Sequence, residues 1–462
     1  MNAKQWTLLI PTILVALAAG PYNAGAAPAV DLQTFAQSLM TGGELPADDM
    51  TPQMRSAFPD AAQEQIRATF TGQHGPVKEV GGAWFDDELQ GYKRYRVPIL
   101  FENVTLDMQI ALDGAGRIAG LTFVEHVEPP DSASTEKAVV GGGAPGVEPQ
   151  PEAPGPEIEI EVGPEGRGLN GLIALPPGDG PFPAAVLVHG SGPNDRDETI
   201  GAHKVFRDIA WGLADRGVAT LRYDKRSLVY PQELAELGDE LTVDDVVVED
   251  ARAALALLRS RPEIDAKNVY IVGHSLGGTL APRIAQAEPH PAGIVSLAGS
   301  TLPLPEKILE QSRYIVGLDG EVSPEEETRV RQIEAAVKTL RAALNGEIEA
   351  PPEPLLGAPI EYFRDYESVD PAVVAADLGL PIFVVQGERD YQVTMDDFAL
   401  WQEKLNGLSH ACLRSYAGLD HLFRYGEEAS TPASYHEPGP FHAPLLDDLA
   451  AWLRDRSCPQ KP

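Results

Sequence analysis

The sequence predicts an α/β protein: a mostly parallel sheet with helices on both faces and a helical insertion at its carboxyl edge, preceded by a small α+β domain. Three observations carry this. Short apolar runs alternate with amphipathic stretches from Glu157 to the C-terminus. One such run, Val269 to Val272, enters Gly273-His274-Ser275-Leu276-Gly277 and then a helix-like stretch from Gly278 to Ala287. Between Leu304 and Leu380 the alternation stops for longer than a simple connection requires.

From the N-terminus, Lys4 precedes a largely apolar run from Trp6 to Ala19, and small residues end in Ala24-Gly25-Ala26. This is the pattern of a secretory signal peptide over 1–26, and it predicts a secreted, periplasmic chain; an uncleaved anchor is the alternative. The run is broken by Pro11 and is short for a bilayer, so no stable membrane insertion is expected after cleavage. Residues 28–128 read as a separate unit. Phe35, Leu39, Met50, Met54, Ile66 and Phe70 fall in helix-like segments, followed by strand-like alternation over Tyr92 to Phe101, Val104 to Leu112 and Arg117 to Phe123. That order is similar to the cone-shaped nuclear-transport-factor-2-like fold, in a binding, positioning or purely structural role. Residues 129–156 hold seven prolines and five glycines in twenty-eight positions, a composition that cannot bury a core and reads as a linker.

Beyond it, Glu157 to Val162 and Leu169 to Leu175 predict an antiparallel hairpin, and Phe182 to Val188 a buried strand. Lys204 to Arg216 is amphipathic through Phe206, Ile209 and Leu213 and closes at Gly217; Val218 to Tyr223 is the next strand. Thr242, with Asp245 three positions on, opens a helix to Arg259. Strands follow at Val269 to Val272, Gly293 to Leu297, Ile382 to Gln386 and Cys412 to Tyr416. Within the insertion, about 304–380, Ser323-Pro324-Glu325-Glu326 starts a helix whose apolar stripe is Val330, Ile333, Val337, Leu340 and Leu344. The insertion is expected to form a lid; the stripe either lines a pocket or packs on other lid helices.

Ser275 is the candidate nucleophile. A strand, a glycine-flanked serine and a helix describe a tight turn that lifts a hydroxyl above the sheet, and glycines two before and two after let strand and helix approach. A plain strand-to-helix turn is the bland alternative. A serine hydroxyl needs a base and a group to orient it. Asp390, at the end of Gly387-Glu388-Arg389-Asp390, is the preferred acid, with Glu388 and Asp420 as alternatives. Of His410, His421, His436 and His442, only His421 lies just past a strand at the carboxyl edge; the alternative there is a loop histidine paired to Asp420. His189-Gly190-Ser191-Gly192-Pro193 turns off the Phe182 to Val188 strand, so the amides of Ser191 and Leu276 are candidate oxyanion donors, against an ordinary Gly-Pro loop.

At these residues the chain resembles the α/β-hydrolase superfamily. The run His189 to Asp197 with Tyr223-Asp224-Lys225-Arg226 is similar to bacterial esterases related to dienelactone hydrolases and serine aminopeptidases. The resemblance implies an α/β-hydrolase fold and a carboxylic-ester hydrolase using Ser275, Asp390 and His421, with a small-molecule ester as substrate and no cofactor. One departure is Ser227, where a glycine commonly follows the arginine. A peptidase of the aminopeptidase or prolyl type, and a non-catalytic binding protein, are the rival readings.

Composition bounds the partners. A hydrophobic content of 43% and charged content of 23% are ordinary for a globular chain, but the net charge of −33 is not. Acidity on that scale repels nucleic acid and anionic membrane, so small or neutral substrates are expected. The two cysteines, Cys412 and Cys458, are candidates for a disulfide in an oxidising compartment and, without clustered histidines, form no structural metal site.

Overall fold

A computed structural model describes residues 30–126 and 153–459, apart from scattered positions within those ranges. The signal-peptide expectation and most of the expected linker lie outside the described residues. The chain divides into two compact units, Met1–Val147 and Glu148–Pro462.

In the first unit, strands β1 (Val77–Val80), β2 (Trp84–Leu89), β3 (Tyr92–Phe101), β4 (Thr105–Leu112) and β5 (Ile118–Glu125) form an antiparallel sheet. The order is β1-β3-β4-β5, with β2 also pairing with β3. Alternate residues Val97, Ile99 and Phe101 of β3 and Met108, Ile110 and Leu112 of β4 are buried in one core with Phe35, Leu39 and Phe70 of the helices Leu32–Thr41 and Asp60–His74. Period 2 on the strands meets period 3.6 on the helices, which is why this sequence makes a two-layer unit. Met50 departs from the helical expectation, because it bridges to Ile118 beside the sheet.

The second unit holds an eight-stranded mixed sheet. Its strands are β6 (Glu157–Val162), β7 (Leu169–Ala174), β8 (Phe182–Val188), β11 (Ala219–Tyr223), β12 (Ile264–His274), β13 (Ile294–Leu297), β14 (Ile382–Gly387) and β15 (Ala411–Tyr416); β9 (Thr199–Ile200) and β10 (His203–Lys204) form a separate small ribbon. The order is β15-β14-β13-β12-β8-β11-β7-β6. Pairs from β11 to β15 are parallel, while β6 and β7 make the expected antiparallel hairpin, β7 against β11.

Burial on both faces explains the continuous apolar runs of the central strands. Val186, Val188, Ile271, Ile294 and Val384 point into one core, shared with the helices Glu249–Arg259, Leu276–Ala285 and Met395–Leu405. Their neighbours Leu187, Val272, Val295, Phe383 and Val385 point into the other, under the helices Val205–Ala214 and Ala443–Asp455. Each fully buried large apolar side chain contributes roughly 1.5–3 kcal/mol. The chain leaves β8 toward β11 and returns on the other side of β8 as β12. That reversal of strand order is a topological switch point between the β8 and β12 ends, the position at which open α/β sheets generally bind their ligands.

The expected capping box of Thr242 and Asp245 forms, with Asp245 Oδ2 accepting from the Thr242 amide at 2.9 Å, but the first turn, Asp244–Val248, is wound as a π-helix before the α-helix begins. The insertion comprises the helices Leu304–Val316, Pro324–Leu344, Ile360–Tyr366 and Pro371–Leu378. Ser323 and Glu326 form the expected box, and of the apolar stripe only Val337 and Leu340 are buried. Cys412 and Cys458 are joined in a disulfide that ties the tail beyond the last helix to β15.

Candidate active site

Ser275 directly follows β12 and precedes the helix Leu276–Ala285 with φ 53° and ψ −118°, a conformation that residues other than glycine rarely adopt. Such a residue costs of order 1–3 kcal/mol and persists only where its surroundings hold it. Its amide donates to Leu297 O at 2.8 Å and its carbonyl accepts from Thr279 N at 3.0 Å. The flanking glycines have no room for a side chain: a Cβ on Gly273 would lie 2.1 Å from Gly277 O, and one on Gly277 would lie 2.0 Å from Val188 O. The elbow is therefore pressed against β8, and the helix directs its amino end to the hydroxyl's neighbourhood.

His421 lies in the loop after β15 and Asp390 in the turn after β14. His421 Nδ1 is 2.7 Å from Asp390 Oδ2, with both side chains buried. Asp390 is fixed in turn: its Oδ1 accepts from the amides of Gln392 at 2.8 Å and Val393 at 3.0 Å, and its Oδ2 accepts from Gln386 Nε2 at 3.2 Å. The alternatives are occupied elsewhere. Glu388 accepts from Ser415 Oγ at 2.7 Å, and Asp420 closes its own loop through the amides of Leu422 and Arg424, both at 3.0 Å. His410 lies at the opposite edge of the sheet, its carbonyl accepting from Ile382 N. His436 ends the short helix Pro432–His436, and His442 caps the last helix.

Ser275 and His421 are not themselves hydrogen-bonded, but the loop of one is tied to the strand of the other. His274, immediately before Ser275, has its Nε2 at 2.9 Å from the His421 carbonyl, and the two rings lie 4.8 Å apart. Hydrogen bonds between nucleophile and base commonly tighten only when substrate is bound.

The loop His189 to Pro193 adjoins the elbow: a Cβ on Gly190 would sit 3.1 Å from Ser275 Cβ. Among the described residues neither the Ser191 nor the Leu276 amide has a protein acceptor, which leaves both free to donate. Burial pushes the His189 imidazole down to about 4, so it is neutral at pH 7. Its ring packs near Phe206 and edge-on to Tyr223.

Three residues to which the sequence assigned no role hold this loop. Glu198, fully buried, accepts from the Gly190 amide at 2.7 Å through Oε1 and meets His274 Nδ1 at 2.9 Å through Oε2. Lys225, also buried, donates from Nζ to the Gly190 carbonyl at 2.6 Å. His274 faces two acceptors, a carboxylate and a carbonyl, an arrangement that favours the doubly protonated imidazolium paired with Glu198. Burial alone would lower His274, but Glu198 beside it raises it above its usual value; Glu198 is lowered reciprocally. The run beginning at His189 ends at Asp197, one residue short of Glu198, and His274 lies inside the serine motif itself. Ser227 is accommodated within the short helix Arg226–Val229 and donates to Gly192 O at 3.2 Å.

Residues 185–455 match the model of the Alpha/beta hydrolase family. The chain is 37% identical over 402 residues to esterase EstD of Thermotoga maritima, covering 87% of this chain and 89% of that protein. Among solved structures, a hyperthermophilic esterase from the archaeon Pyrobaculum calidifontis is 15% identical with a TM-score of 0.42, covering 65% of this chain and 86% of that one. A dienelactone hydrolase from Anabaena variabilis is 16% identical with a TM-score of 0.38, covering 65% and 98%. With a family match over more than half its length and a relative similar along most of both sequences, the chain belongs to the alpha/beta hydrolase family.

Proposed function

We propose that the protein is a secreted serine esterase that cleaves small carboxylic esters, short-chain acyl esters above all. The observation that carries the reading is the buried 2.7 Å contact between His421 Nδ1 and Asp390, with the His421 loop tied to the residue before Ser275. Esterase EstD, similar along most of the chain, supports the substrate class. In this mechanism His421 Nε2 takes the proton from Ser275 Oγ as the oxygen attacks the ester carbonyl. Asp390 fixes the Nδ1–H tautomer and stabilises the imidazolium. The amides of Ser191 and Leu276 hold the tetrahedral oxyanion. His421 then protonates the departing alcohol, and water repeats the sequence on the acyl-enzyme.

The leader-like N-terminus and the cysteine pair support an oxidising, extracytoplasmic location. Among the described residues no helix is long and apolar enough to cross a membrane. The test is Ser275→Ala in an assay with p-nitrophenyl esters of graded acyl length. Turnover is expected to vanish while the circular dichroism spectrum is unchanged. Full activity in the variant, or a wild-type preference for aminoacyl-arylamides over esters, contradicts the reading.

A further inference from the structure

The Ser191 amide has no side chain of its own to aim it, so its direction depends on what holds the Gly190–Ser191 peptide. That peptide is planar and trans, hence the Gly190 carbonyl and the Ser191 N–H point in opposite directions. The carbonyl is gripped by Lys225 Nζ at 2.6 Å and by Asn194 Nδ2 at 3.2 Å. On the other side of the same residue, the Gly190 N–H is gripped by Glu198 at 2.7 Å. A cation and an anion, each almost wholly buried, therefore hold one glycine by its two polar groups.

Strand order gives the grip a direction. β11, which leads to Lys225, flanks β8 on one side, and β12, which leads to Ser275, flanks it on the other. A carbonyl drawn toward the β11 end turns the N–H of the same peptide toward the β12 end, where the reacting carbonyl must sit. Glu198 reaches the same region through His274, the residue before Ser275. We infer that Lys225 and Glu198 are positioning residues for oxyanion binding, clamping Gly190 so that the Ser191 amide faces the tetrahedral oxygen. This rests on the reading of the site as an ester hydrolase. Both act through the glycine that they hold. Burial pushes the Lys225 ammonium down to about 8, partly opposed by Glu198, so at neutral pH it remains charged and polarises the peptide that it holds.

The experiment compares wild type, Lys225→Met, Ser191→Pro, which removes the amide hydrogen, and the double variant. Removing one oxyanion donor elsewhere costs about 10²–10³-fold in kcat, and a misaimed donor should cost somewhat less. Lys225→Met is expected to lower kcat about 10- to 100-fold with KM within about 2-fold. Its affinity for an alkyl boronic acid, which forms a tetrahedral adduct, should fall in the same ratio. In the Ser191→Pro background the lysine change should add almost nothing, because both act through one N–H. A Lys225→Met enzyme with unchanged kcat, a loss expressed in KM, or losses that multiply in the double variant would each overturn the inference. If Lys225→Met is recovered unfolded, Lys225→Gln is judged by the same criteria, and Glu198→Gln tests the opposite grip. Ester turnover by the wild type is measured alongside: its absence sinks the reading of the site, whereas its presence with an indifferent Lys225 variant sinks only the clamp.

Discussion

Each carboxylate near His421 has a distinct partner, so their substitutions should separate cleanly. Asp390→Asn keeps the shape but removes the acceptor that fixes the His421 tautomer, and kcat is expected to fall about 10⁴-fold. Glu388→Gln, which disturbs only a contact to Ser415, should leave kcat within about 2-fold; steady-state kinetics on one ester checks both. The Glu198–His274 pair has its own pH signature. His274 is raised above 6.5, so its contribution to stability is complete below that pH and is lost as pH rises through the folded value. Glu198 is lowered below 4.5, so its contribution is complete above that pH and is lost as pH falls through the folded value. Glu198→Gln should therefore show its largest deficit in melting temperature between about pH 4.5 and 6.5, narrowing on the alkaline side, by thermal denaturation across pH. The placement of Ser275, Asp390 and His421 at the carboxyl edge was legible in the sequence because each follows a strand. The roles of Glu198 and Lys225 were not: Lys225 stands in Tyr223-Asp224-Lys225-Arg226 and Glu198 just past Asp197, but contacts to residues 76 and 35 positions away leave no local sign of what either holds.

The elements that position the site depend on close backbone approach. A methyl group on Gly277 would sit 2.0 Å from the Val188 carbonyl, in backbone that has no flexible side chain to yield. Gly277→Ala is expected to push the elbow away from β8 and reduce kcat by at least about 100-fold, or to prevent folding; activity and circular dichroism together read the outcome. The Cys412–Cys458 bond is remote from that chemistry. Its loss, with a sequence separation of 46, should lower stability by up to about 4 kcal/mol in the chain-entropy account while kcat is retained, as denaturant unfolding of the double serine variant would show. The central strands and the capped helix Pro324–Leu344 were readable because burial on both faces leaves long apolar runs and Ser323 marks a start. β1 and β2 escaped notice because Val-Lys-Glu-Val and Trp-Phe-Asp-Asp-Glu-Leu carry too many charges for the alternation to stand out.

Across the whole molecule, the two units have separate hydrophobic cores, and calorimetry on the full chain is expected to resolve two transitions. The sheet order, with its reversal between β8 and β12, is a long-range property that apolar runs announce only as a class; which strand neighbours which becomes visible in three dimensions. That reversal brings the Ser275 elbow beside the Ser191 loop, and His274 ties the His421 loop to the same edge of the sheet. The most direct test of their convergence is labelling of the native protein with a fluorophosphonate, followed by peptide mass mapping. An activated serine should yield a single phosphonyl adduct on the peptide containing Ser275, slowed strongly by Asp390→Asn. An unlabelled wild-type protein, or an adduct on any other residue, would contradict the account.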